Sequence, residues 1–230
     1  MELVELEEVD STNEYLKRID FREGFCVIAR KQTGGKGRRG KNWLSLKDKG
    51  LYISFMYPPL SPSVISLSSL AFGVAVLNTL KSFKEDFYLK WPNDIYINGK
   101  KIAGILPELL RDRLIVGIGI NLSYSEEELS DFPVPATSLK IERISFNRDQ
   151  LIKSLIAEIN SYYNKLSTGQ FNVKEFEQNC PLIGKEIAVH NQEGSFKARA
   201  LGIDQNGYLI VEDEEGNIKR LFSGDVSVRF

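Results

Sequence analysis

At 230 residues, 42% hydrophobic and 27% charged, the chain has the make-up of a soluble globular protein with room for one large domain or a large and a small one. A net charge of -1 excludes a global field drawing it to nucleic acid or anionic membrane, so any anion binding must be local. There is no basic-then-apolar leader and no apolar run near the ~20 residues that span a bilayer. Cys26 and Cys180 lack CxxC spacing, and with the single histidine, His190, they exclude the usual zinc sites. A reduced, cytoplasmic protein with structural thiols is the expectation.

In chain order, residues 2–8 alternate loosely and suit a strand. Asp10-Ser-Thr-Asn13 then precedes an apolar-periodic run, which is a helix N-cap signal; the same residues could instead offer amides and hydroxyls to a polar ligand. Phe25–Arg30 is an apolar run of strand length. It empties into Gln32-Thr-Gly-Gly-Lys-Gly-Arg-Arg-Gly-Lys-Asn-Trp43, which holds four glycines and four cations. Gly35, Gly37 and Gly40 permit tight turns and close approach, while Lys36, Arg38, Arg39 and Lys41 suit a small anion. A solvated basic loop is the alternative reading. The stretch is neither a P-loop nor a dinucleotide fingerprint.

Residues 50–57 read as a strand stopped by Pro58-Pro59, and residues 64–83 as one buried helix. Another strand, 87–91, ends in Trp91-Pro-Asn-Asp94, where Trp91-Pro92 could simply close a strand against the core. Asn98-Gly99 between apolar runs predicts a hairpin, and 111–113 the next turn. In the strand 114–122, period 2 puts Gly117, Gly119 and Asn121 on one side, leaving space for a ligand or another backbone. Residues 123–139 predict a loop with a short helical piece, 148–165 an amphipathic helix, and 171–180 one more helical stretch. From Pro181 five short strands cut by Gly and Asn-Gly turns predict a small β-barrel, so the expected domains are 1–180 and 181–230.

No Ser/His/Asp or Cys/His nucleophile system is credible with one histidine in the β segment. A carboxylate pair would have to be Asp94 and Glu108, and nothing in the sequence fixes their separation. What the first 122 residues supply is an anion loop, a lysine after a hairpin (Lys101) and polar groups at 11–13, 32 and 121. That set fits the joining of two anions, with fixed cations offsetting their repulsion and no protein nucleophile required.

The five segments Asp10-Ser-Thr-Asn13, Gln32 to Trp43, Lys90-Trp-Pro-Asn-Asp94, Gly99-Lys-Lys-Ile-Ala-Gly-Ile-Leu106 and Gly117-Ile-Gly-Ile-Asn121 strongly resemble the biotin protein ligases. Each is weak alone; five in this order are specific. The resemblance implies an α+β fold, with a mixed or antiparallel sheet and helices in a class II aminoacyl-tRNA synthetase-like catalytic domain, plus a small C-terminal SH3-like β-barrel. It also implies ATP-dependent biotinylation of a carrier lysine through biotinyl-5′-AMP, with magnesium accompanying ATP. Residue by residue, Ser11, Thr12, Asn13, Gln32, Lys36, Gly37, Arg38, Lys101, Gly104, Leu106, Gly117 and Gly119 match biotin-binding positions. Arg38, Arg39, Trp43, Asp94, Lys101 and Asn121 fall on the ATP and adenylate side, with Arg38 and Lys101 catalytic, Asp94 implied to help place magnesium or a basic partner, and no metal ligand assigned. The family loop usually reads GRGRxGR; here Lys36 and Lys41 keep the charge and lose the bidentate fork.

The implied partner is a biotin carboxyl carrier protein of acetyl-CoA carboxylase. Because the match begins almost at residue 1, a member without the DNA-binding domain, binding neither DNA nor membrane, is expected; a homodimer is compatible with the resemblance. Lipoate or octanoate transfer on the same architecture is the nearest rival, and a non-catalytic biotin-binding or sensing protein the rival of another class. The polar cluster at 11–13 argues for biotin, since a ureido ring needs donors and acceptors where an acyl chain needs only walls.

Overall fold

A computed structural model describes residues 2–132, 134–191, 194–222 and 227–229. Seven strands build the main sheet: β1 (Glu2–Leu6), β2 (Phe25–Ala29), β3 (Gly50–Tyr57), β4 (Tyr88–Lys90), β5 (Asp94–Ile97), β6 (Lys100–Leu109) and β7 (Leu114–Asn121), in the order β1-β2-β3-β7-β6-β5-β4. β1 and β2 are parallel, which demands a crossover, and α1 (Thr12–Arg18) supplies it; the other pairs are antiparallel, so the sheet is mixed.

All eight residues of β3 are buried, because both faces of the sheet are covered there. Leu51, Ile53, Phe55 and Tyr57 face the main core, which also takes Val116, Ile118 and Ile120 of β7. α3 (Ser68–Lys81) packs on this face and α4 (Arg148–Ser167) packs on α3. The opposite face carries a smaller cluster of Leu16, Phe25, Val27, Met56 and Ile115 under α1. Arg113, in the β6–β7 turn, fastens this helix by donating from Nη1 to the carbonyls of Leu16 (3.1 Å) and Ile19 (2.7 Å) at its C-terminal end. α1 is only seven residues long, so further along β7 the same face changes from Ile115 to Gly117 and Gly119 and is left open.

The Asn98-Gly99 hairpin forms between β5 and β6, with positive φ at both residues (49° and 75°) as a type I′ turn requires. The expected helix over 64–83 is divided into α2 (Pro62–Ile65) and α3; Ser68 Oγ donates back to the Ile65 carbonyl at 2.7 Å across the break. α4 is capped by Asn147, whose side chain accepts from Gln150 N. Of the stretch 171–180 only α5 (Lys174–Glu177) is helical, and the 123–139 loop contains a short 3₁₀ turn at Glu127–Leu129.

The second sheet has five antiparallel strands in the order β11-β10-β9-β8-β12. They are β8 (Glu186–Asn191), β9 (Gly194–Ile203), β10 (Leu209–Asp213), β11 (Ile218–Leu221) and β12 (Ser227–Arg229). Ends of the runs expected here, Val226 and Phe230 among them, lie outside the described residues. The 180/181 division falls between α5 and β8, yet the apolar core runs across it through Phe176, Leu182, Ile187 and Val189. Trp91, 2% exposed, donates from Nε1 to the Gly207 carbonyl in the β9–β10 turn at 3.1 Å. It thus packs on the core while tying the second sheet to the segment that follows β4.

Candidate active site

On the open part of the α1 face lies a cavity of about 210 Å3. It is enclosed by the start of α1, the 36–43 part of the basic loop, the β4–β5 turn, strands β6 and β7, and Phe132 and Val134.

One end is neutral and polar. Ser11 occupies the N-cap position of α1 with extended backbone, but its side chain makes no capping bond. Gln32 does that work instead: its Oε1 accepts from Thr12 N (2.8 Å) and Thr12 Oγ1 (3.1 Å). Gln32 Nε2 then donates to Ser45 Oγ (2.7 Å), which donates to the Trp43 carbonyl (3.1 Å). Asn13 donates from Nδ2 to Glu108 Oε2 (2.7 Å) and to the Leu106 carbonyl (3.3 Å), while its Oδ1 faces Ser54 Oγ at 2.5 Å. Buried polar groups need partners, and this end supplies them internally before any ligand arrives.

The floor is made by glycine. Gly104 on β6 and Gly119 on β7 are cross-strand partners, and Leu106 faces Gly117 two residues on. A Cβ added at Gly119 would overlap the Trp43 indole, one at Gly104 would come within 3.0 Å of it, and one at Gly117 would overlap the Asn13 carboxamide. The bare floor is what lets a flat ring lie against the sheet. Trp43 rests there with Phe132 edge-on at 6.4 Å.

The other end is cationic. Backbone bonds from Gly37 N to Lys41 O (2.7 Å) and from Trp43 N to Gly35 O (2.9 Å) staple the basic loop into a turn with Arg39 and Gly40 at positive φ. Gly35 is closed in by Trp43 O and Ser45 Oγ, so close packing, rather than a left-handed φ, calls for glycine there. Arg38 is half-buried and donates from Nη1 to Asn93 Oδ1 (3.0 Å); Asn93 Nδ2 in turn holds the Ile105 carbonyl (2.9 Å). Burial lowers the Arg38 pKa, an effect that the negative charge of Asp94 opposes. Lys101 Nζ lies 2.6 Å from Asp94 Oδ1 and 5.3 Å from the Trp43 ring. Lys36 pairs with Glu14 at 2.7 Å, and hydrogen bonds from Lys17 and then Lys36 hold that carboxyl below its ordinary range.

The cavity therefore brings together Ser11, Thr12, Asn13, Gln32, Lys36, Gly37, Arg38, Arg39, Trp43, Asp94, Lys101, Gly104, Leu106, Gly117 and Gly119. Asn121 stands apart from its lining. It is 1% exposed and donates to the Thr137 carbonyl at 2.9 Å. Asp94 and Glu108 are not a catalytic pair, because Asp94 sits on Lys101 while Glu108 sits behind Asn13 on Lys17. The sequence reading left out Lys90, Asn93, Tyr96 and Ile118 as site residues, though the Lys90-Trp-Pro-Asn-Asp94 segment contained the first two. It gave no signal for Ser54, and it raised Glu108 only as half of a carboxylate pair with Asp94. Among the described residues no three His, Cys, Asp or Glu side chains form a metal cluster, and Asp94 is the one carboxylate lining the cavity.

Residues 6–125 match the biotin/lipoate A/B protein ligase family, and residues 182–229 match the biotin protein ligase C-terminal domain. Among solved structures, the biotin protein ligase from Aquifex aeolicus in complex with biotin and ATP superposes with a TM-score of 0.85 at 34% identity, over 99% of this chain and 98% of that one. The biotin–[acetyl-CoA-carboxylase] ligase of Mycobacterium tuberculosis is 30% identical over 89% of this chain and 79% of its own length. A bifunctional ligase/repressor from Bacillus spizizenii is 33% identical over 90% of this chain, which spans 66% of that relative. A neutral hydrogen-bonding end, a glycine floor and a cationic end thus coincide with full-length similarity to a biotin- and ATP-bound enzyme, and the chain belongs to the biotin protein ligases.

Proposed function

We infer that the chain catalyses ATP-dependent biotinylation of a lysine on a biotin carboxyl carrier protein, through biotinyl-5′-AMP. The observation that carries this reading is the two-ended cavity: a satisfied neutral network at Thr12, Asn13 and Gln32, and a cation pair, Arg38 and Lys101, at the other end. A bicyclic ureido carboxylate has the same polarity along its length.

In the first step the biotin carboxylate oxygen attacks the α-phosphorus of ATP, and pyrophosphate leaves. The two anions repel each other, so Lys101 and Arg38 lower the barrier by holding positive charge where they meet. The incoming groups compete with Asp94 for the Lys101 ammonium. Asn93 keeps Arg38 aimed at β6, so the loop needs little rearrangement at that moment. In the second step the ε-amine of the carrier lysine attacks the acyl carbon, an amide forms and AMP departs. Nucleophile and leaving group both come from the substrates, in keeping with a site that has no Ser, Cys or His nucleophile system.

Magnesium fits this site as a companion of the ATP phosphates. Asp94 would be its one protein carboxylate, and magnesium bound to nucleotides needs few more. When bound it supplies charge neutralisation on the phosphates. No helix among the described residues is long and apolar enough to cross a membrane, and the cytoplasm is the proposed location. A homodimer belongs to the same reading and is tested by sedimentation velocity.

Lipoate or octanoate offers no donors or acceptors to the internally paired groups around Asn13 and Gln32, and so forgoes the hydrogen bonds a ureido ring adds there, about 0.5–1.5 kcal/mol each. The test is pyrophosphate release with biotin, ATP and magnesium, followed by transfer to a carrier protein. Release with lipoate and none with biotin would overturn the assignment.

A further inference from the structure

The hydrogen-bond inventory of Asn13 leads to a residue outside the cavity. Asn13 is 3% exposed and lies against Gly117, with its Oδ1 the nearest atom to the space a Cβ would fill. Its two amide protons are committed to Glu108 Oε2 (2.7 Å) and the Leu106 carbonyl (3.3 Å). A carboxamide can be placed in either of two orientations, and only its partners decide which. Two acceptors decide here, the Leu106 carbonyl at 3.3 Å and, at the shorter 2.7 Å, Glu108. It takes the Lys17 ammonium on its other oxygen at 2.8 Å and, as a carboxylate, can only accept, so the NH2 end of Asn13 must face it. Lys17 is held in place in turn by Glu14 at 2.8 Å.

We propose that Glu108 is a positioning residue for ligand selection, clamping Asn13 with its carbonyl oxygen towards the cavity so that the site requires an N–H donor from the ligand ring. The proposal rests on the biotin reading, since a cyclic urea offers such a donor and a dithiolane or plain acyl chain offers none. Ser54 makes the arrangement workable. Its one proton points to Asn13 Oδ1 (2.5 Å) or to Thr12 Oγ1 (2.7 Å). When a ligand N–H takes over Asn13 Oδ1, the Ser54 proton turns to Thr12 and no buried group is orphaned. A ligand with an ether oxygen at that place sets lone pair against lone pair, which a site built for a donor rejects strongly.

The experiment compares biotin with the two ring analogues in which one ureido N–H is replaced by oxygen, on the full chain and on Glu108→Gln. A glutamine can donate to Asn13 Oδ1, so the amide can turn and present its NH2 to the cavity. Pyrophosphate release at saturating ATP is read as KM and kcat, and calorimetry without ATP reads binding alone. The wild type is expected to prefer biotin over at least one analogue by more than about tenfold. In Glu108→Gln the KM for biotin rises about tenfold, kcat stays within about twofold, and the preference collapses. An unchanged preference, with or without a raised KM, overturns the proposal, because a merely structural role would leave selectivity intact. Should Glu108→Gln melt below the assay temperature, Glu108→Ala with Lys17→Met removes the ion pair together and must show the same collapse. Absence of pyrophosphate release with biotin in the wild type would sink the ligase reading alone, and the calorimetric preference would still decide the role of Glu108.

Discussion

The two ends of the cavity are built on opposite principles. At the Thr12–Gln32 end every contact is a hydrogen bond among buried or half-buried neutral groups, and a charge enters only from behind, through Glu108. At the Arg38–Lys101 end the groups are charged, partly open, and held by partners that an anionic ligand can replace: Asp94 for Lys101 and Asn93 for Arg38. The first end is preorganised for recognition, and its energy is expressed in substrate affinity. The second is held ready for charge that develops during reaction, so its energy belongs to the rate.

Four substitutions test that division, from the largest effect to the smallest. Lys101→Ala is expected to slow adenylate formation by about 10²–10³ while leaving the biotin dissociation constant within a few-fold, as read by single-turnover kinetics and calorimetry. Equal losses in both would erase the distinction between the ends. Gly119→Ala places a methyl group in the Trp43 indole, and overpacking of about 1–3 kcal/mol predicts ligand KM values raised about 10–100-fold with a smaller change in kcat. Arg38→Gly removes the bond to Asn93 and a cation over the intermediate; biotinyl-AMP should dissociate about tenfold faster, measured by chase with unlabelled biotin. An unchanged off-rate would remove Arg38 from its place over the adenylate. Ser54→Ala deletes one neutral hydroxyl at the recognition end and should raise the KM for biotin about fivefold, with kcat unaltered. A fall in kcat there would show that the recognition end also serves the chemical step.

The sequence carried the strands of the main sheet, the Asn98-Gly99 hairpin and the helix beginning at Arg148, because each depends on local periodicity or turn chemistry. The break between α2 and α3 escaped it for a physical reason. Leu67 and Leu70 both enter the main core and Ile65 packs against it, so the apolar pattern runs through a junction where helical bonding tightens into a turn, Leu67 N donating to the Val64 carbonyl at 3.0 Å. The cavity residues were legible as a motif set, while the supports of that set were not. Ser54 sits in a strand buried at every position, where one hydroxyl looks like a tolerated exception. Glu108 is 95 residues from Asn13, and nothing local marks it as that residue's anchor. Asn121 shares the period-2 face of Gly117 and Gly119, but alternation says nothing of how far along the strand the cavity extends.

The placing of β7 between β3 and β6 has a consequence for how the chain acquires its site. Before Leu114–Asn121 inserts, the chain already contains the basic loop, the Ser11–Asn13 cluster and Lys101, yet the two halves of the sheet share no central strand. Long-range pairing of this kind forms slowly, since the loop must close before its contacts repay it. A nascent chain with β7 still inside the ribosome therefore has the chemistry but only the β6 side of the floor to set it on. A fragment ending before Leu114 is expected to retain no biotin in equilibrium dialysis, and ligand binding during refolding should appear together with the final cooperative phase.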